Sequence, residues 1–174
     1  MSLRHFFIAS SLILAPITTL GFGSAAFAGT ASEDIILTGT VDSQIAIDAN
    51  PTPAAGALPL SPQAAGQDGT TTVRIADLDI TSNNAAGIRI TASSQNDGEL
   101  TSGENEIAYT IAIVDDNAGT PTSTTPLSSL NQNVVEGFDS QTGTKSMDLY
   151  IKYSVLGLKM GDYYDSITIT VSDN

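Results

Sequence analysis

The chain has 174 residues, with 19 Asp and Glu against six Lys and Arg, a formal net charge of −13, no Cys, no Trp and a single His. The lack of Cys excludes a disulfide framework, thiolate metal sites and cysteine catalysis. The scarcity of Lys and Arg speaks against nucleic acid and anionic lipid as partners, because phosphate binding draws on clustered cations.

At the N-terminus, Arg4 and His5 precede an apolar run from Phe6 to Leu20, and the small residues Ala26 and Ala28 flank Phe27. Residues Met1–Ala28 therefore read as a secretory signal peptide cleaved before Gly29. Its loss removes the only His. No later stretch is long and apolar enough to span a bilayer, so the expectation is export without integral membrane insertion, to the periplasm, cell surface or exterior. Residues 29–174 fit one domain able to bury a core without cross-links.

From there the dominant period is two, which places alternate side chains on opposite faces of a strand. The odd positions Ile35, Leu37, Gly39, Val41, Ser43, Ile45 and Ile47 form one long strand or two strands in the same phase. Residues 49–72 hold Pro51, Pro53, Pro59 and Pro62 among Ala and Gly, and are expected to connect the first strand to the rest. Val73 and Ile75 are followed by Leu78 and Ile80, a phase slip around Ala76 and Asp77 that predicts a bulge. Further strands are expected at Ile88–Ala92, Ile107–Val114, Met147–Val155 and Tyr163–Val171. In Met147–Val155 the odd positions are apolar, while Asp148, Tyr150, Lys152 and Ser154 should face water.

Turn chemistry lies between them at Ser82–Gly87, Asn96–Gly98, Asp115–Gly119 and Gly161–Asp162. The best helical candidate, Leu127–Phe138, is interrupted by Asn131, Gln132 and Asn133. The class is all-β, and about seven or eight short strands make a two-sheet antiparallel immunoglobulin-like sandwich the leading architecture.

The C-terminal Gly161-Asp162-Tyr163-Tyr164-Asp165-Ser166-Ile167-Thr168-Ile169-Thr170-Val171 resembles the final strand of chaperone-usher pilins, closest to the archaic, spore-coat-U-like branch. Val73–Asn83 followed by Gly87–Ser94 is similar to the paired strands and Ser-Asn turn of such subunits. The resemblance implies a fimbrial subunit whose sandwich lacks its last strand, supplied by the N-terminal extension of the next subunit. Ile35, Leu37 and Val41 would then be the inserted apolar residues, with Gly39 where the groove is shallow. The implied partners are further copies of the chain and a periplasmic chaperone. The alternative is that Ile35–Val41 is the first strand of a complete, self-contained sandwich. Members of the spore-coat-U-like group carry cysteines, and this chain departs from them in having none.

Other sites are thinner. The acidic pairs Asp77/Asp79, Asp97/Glu99 and Glu104/Glu106, and the run Asp115-Asp116-Asn117, offer oxygen ligands of the kind calcium takes, but none has the spacing of a calcium loop. Serine chemistry needs a base, and the exported chain keeps no His and only Lys145, Lys152 and Lys159. No catalytic, cofactor or metal site is expected, and the chain is read as a structural or adhesive surface protein. The second functional class is a carbohydrate- or calcium-binding module. Tyr150 and Tyr164 are the candidates to stack on sugar, with Tyr109, Tyr153 and Tyr163 in the core or at its rim.

Overall fold

The computed structural model describes residues 33, 36–62, 65–66 and 68–174. The chain divides into two units, Met1–Gly39 and Thr40–Asn174. Of the first, only residue 33 and residues 36–39 are described; they form no regular element, and Ile36 and Leu37 are 85% and 90% exposed. The signal-peptide reading of Met1–Ala28, and Ile35, lie outside the described residues.

The second unit is built of strands, with no α-helix among the described residues. Chain order is β1 (Ile45–Pro51), a 3₁₀ turn (Pro53–Gly56), β2 (Thr70–Ser82), β3 (Ile88–Ser94), β4 (Glu99–Ser102), β5 (Asn105–Asp115), a 3₁₀ turn (Leu127–Gln132), β6 (Asn133–Val135), β7 (Thr144–Ser154) and β8 (Ile167–Asp173). They form a five-stranded sheet in the order β1-β2-β7-β5-β4 and a three-stranded sheet in the order β6-β3-β8. Every pairing is antiparallel.

Alternation explains the core. Leu78 and Ile80 of β2, Ile88 and Ile90 of β3, Ile111 of β5 and Leu149 and Ile151 of β7 are all nearly or fully buried in one cluster that both sheets share. The predicted slip in β2 is a bulge at Ile75: Arg74 pairs with Tyr150, but Ala76 already pairs with Leu149. One extra residue moves the inward phase from Val73 to Ala76, Leu78 and Ile80. The turn into β7 uses Gly143 at φ +67, where an added Cβ would sit 2.8 Å from the Ser82 carbonyl oxygen. That oxygen leaves no room for a side chain, and the backbone disfavours one.

Several expectations need correction. Of the stretch Ile35–Ile47, expected as one long strand or two in the same phase, the described residues 36–44 are irregular and a regular strand begins only at Ile45. The last strand begins at Ile167, since Tyr164 bridges Thr101 of β4 instead of continuing the β3–β8 ladder. Asp148 and Tyr150 do not face water: they are 2% and 8% exposed. Tyr150 lies between Arg74 and Ala112 in register, and Asp148 accepts a hydrogen bond from Arg74 Nη1 at 3.1 Å. Two short strands, β4 and β6, and the 3₁₀ turn that puts Leu127 and Leu130 into the core went unforeseen.

Candidate functional site

Each sheet ends in a strand with one unpaired edge, and the edges of β1 and β8 flank an open apolar groove of about 590 Å³. Its floor is the inner face of the five-stranded sheet: Leu78, Leu100, Tyr109, Leu149 and Ile151. One wall is β1 and the Pro-rich connection, contributing Ile47, Ala49, Leu58 and Leu60. The other is Ile167 and Ile169 of β8.

The wall of β8 is only half covered. Ile167, Ile169 and Val171 pack against the core yet remain half-buried, alternating with exposed Thr168 and Thr170. Gln95 N–H donates to the Ser166 carbonyl at 2.9 Å, which sets the parity of the β3–β8 ladder. Thr168 and Thr170 therefore turn their main-chain groups toward β3, and Ile167, Ile169 and Val171 turn theirs to the open edge. The same three residues thus offer apolar side chains and unpaired backbone groups to whatever lies in the groove.

One end of the groove is held by polar contacts. Tyr109 Oη donates to Asp165 Oδ2 at 2.7 Å, and Asp165 Oδ1 accepts from the main-chain N–H groups of Ser166 and Asn96 at 2.7 and 3.1 Å. Burial, followed by the bond to Asp165, pushes the Tyr109 phenol well above its ordinary pKa. Burial pushes Tyr153 up to about 12. Both phenols stay neutral at physiological pH.

The other end is where the chain enters the second unit. Asn83 grips it: Nδ2 donates to the Asp42 carbonyl and Oδ1 accepts from Gln44 N–H, each at 2.8 Å, while Asn83 N–H donates to the Gln44 carbonyl at 3.2 Å. Ser43 Oγ adds a bond to Asp173 Oδ2 at 2.7 Å. These contacts continue the β1–β2 register outward, so the chain runs straight into β1 with no reversal.

Of the predicted insertion residues, Leu37 and Val41 are 90% and 84% exposed. Gly39 has nothing within 4 Å of an added Cβ. None of the three lies in a strand, and Ile36, in the opposite phase, is equally bare. Sequence reading missed the groove walls in the Pro-rich stretch, although Leu58 and Leu60, the only Leu residues there, were a signal. It also missed Asn83, which the sequence places in the Ser82–Gly87 turn.

Several of the acidic groups are engaged locally. Arg74 Nη1 lies 3.1 Å from both Asp77 and Asp148, Lys145 pairs with Asp115 at 2.9 Å, and Asp79 accepts from Ser146 Oγ at 2.6 Å. Among the described residues no three His, Cys, Asp or Glu side chains converge as a metal site. Of the two tyrosines considered for sugar stacking, Tyr150 is buried and only Tyr164, 61% exposed, is accessible. No family model matches the chain, and a search of curated proteins finds no match either.

Proposed function

We propose that this is an exported, non-enzymatic structural subunit that polymerises by strand exchange, with residues around Leu37–Val41 of one copy filling the groove between β1 and β8 of another. In this reading the two sheets are an immunoglobulin-like sandwich lacking one strand. The observation that carries it is the pairing of an open apolar groove, edged by unpaired backbone, with a bare segment of alternating apolar residues.

The dimensions agree. The seven residues of β8 extend about 23 Å, and the five from Leu37 to Val41 about 17 Å, at roughly 3.3 Å per residue. Burying Leu37 and Val41 would contribute about 3 to 6 kcal/mol, with main-chain bonds to Ile167, Ile169 and Val171 in addition. The chain's own segment is a poor occupant. β1 leaves the Asp173 end and β8 arrives there, so a segment folding back from Asp42 would run parallel to β8, and Asn83 holds Asp42–Gln44 without the reversal this needs. An unfilled groove also calls for a chaperone in the periplasm before assembly, since an apolar face with a free edge is prone to wrong pairing.

The test is complementation. Wild-type protein should form filaments in electron micrographs, and Leu37→Asp/Val41→Asp should give a folded monomer by circular dichroism and sedimentation. That monomer should bind a labelled peptide of residues 33–43, and adding Ile169→Asp should abolish the binding. A wild type that stays monomeric, together with a double variant that ignores the peptide, would end the proposal.

A further inference from the structure

An exchanged strand would leave almost no slack between two copies. Val41, 84% exposed, is followed directly by Asp42, whose carbonyl is already held by Asn83 Nδ2 at 2.8 Å. Consecutive Cα atoms lie about 3.8 Å apart, so a groove that holds Val41 brings the donor's Asn83 end against the acceptor's surface. The bodies must touch, and the direction of the strand decides where.

Every pair in the structure is antiparallel, and antiparallel ladders are the more stable per residue. A strand laid antiparallel to β8 puts Val41 beside Ile167, at the end marked by Tyr163 and Tyr164. Immediately outside that end is a second hollow of about 560 Å³, which shares Leu60 and Tyr163 with the groove and is otherwise lined by Pro62 and the β7–β8 loop. This loop is, after Val41, the barest apolar part of the second unit among the described residues: Leu156 is 61% exposed and Met160 fully so. Lys159 at its centre has no carboxylate partner among the described residues, whereas the opposite end of the molecule presents Asp42 and Asp173.

We infer that the loop Leu156–Gly161 of one copy is the docking platform for the Asp42–Gln44 and Asp173 end of the next copy. The inference rests on the strand-exchange reading and adds a second, end-to-end contact to it.

The chain has no native Cys, so a disulfide can be used as a ruler. Full chain carrying Asp42→Cys and Met160→Cys together should, on mild oxidation of filaments, give a ladder of covalent oligomers on a denaturing gel, and neither single variant should. Met160→Cys can be made without loss of core, because the side chain is fully exposed. Dimers from Asp42→Cys alone would overturn the inference, since parallel insertion would bring two such ends together. Filaments that bury the 33–43 peptide segment yet yield no ladder from the double variant would overturn it while leaving strand exchange standing. If the wild type forms no filaments and its monomer takes up no peptide, both fall together.

Discussion

Tyr109, in the middle of β5, donates its phenolic hydrogen to Asp165 at the head of β8, 2.7 Å away and 56 residues later in the chain. One bond thereby ties the floor of the groove to its wall. With the two main-chain bonds that Asp165 accepts, it fixes the point from which the free edge of β8 starts.

Replacing Tyr109 by Phe should cost about 1.5 to 3 kcal/mol, the usual worth of a hydrogen bond to a charged group. The pH dependence follows from the sign of the shift. The folded phenol titrates above its unfolded value of about 10, so its contribution is complete below pH of about 10 and is lost as pH rises beyond it. Urea unfolding at pH of about 7, 9 and 10.5 should show wild type losing stability at the last step and Tyr109→Phe losing less. Equal losses would mean that other groups, Tyr153 first among them, carry the alkaline response.

Asp148 is buried on the face of β7 that points away from the core, and Arg74 is its cation. Removing one partner of a fully buried pair costs about 3 to 5 kcal/mol. Here the Arg74 side chain is 42% exposed and shared with Asp77, so Arg74→Ala should cost nearer about 2 kcal/mol. Arg74→Met with Asp148→Leu should recover most of that, because no buried charge is then left unpaired and Asp77, 49% exposed, keeps its contact with water. A double variant no better than Arg74→Ala in its denaturation midpoint would contradict the argument.

The half-open wall predicts unequal costs for similar deletions. In the non-polymerising Leu37→Asp/Val41→Asp background, Leu78→Ala should lose about 3 kcal/mol, since Leu78 is fully buried. Ile169→Ala, half-buried beside the groove, should lose about 1 kcal/mol or less. Comparable losses at the two sites would mean that the groove is closed in solution.

How much of this was legible beforehand depended on the kind of signal. Strands with strict alternation, such as β7 and β3, and the bulge at Ile75 follow from period and phase alone, which local sequence carries. β4 and β6 escaped because Glu99–Ser102 and Asn133–Val135 are too short to show a period. The burial of Asp148 came from a cation on another strand, at a distance no window of residues spans. The groove was hidden for a related reason. It exists because β1 and β8 end their sheets facing one another, and strand order in space is not written in the alternation of either strand. What could be read was the apolar alternation of Leu37 and Val41 ahead of the first strand, the segment proposed to fill such a groove.

The grip of Asn83 on Asp42–Gln44 has a mechanical consequence. Tension on the chain ahead of Asp42, directed along β1, does not peel that strand from its end; it loads the seven register pairs between Ile45–Ser82 and Pro51–Ala76 in shear, all at once. The side-chain amide and the Ser43–Asp173 bond meet the load first, and they are the elements whose loss would turn shear into unzipping. A protein pulled from this point resists as a lap joint does, by the length of its overlap.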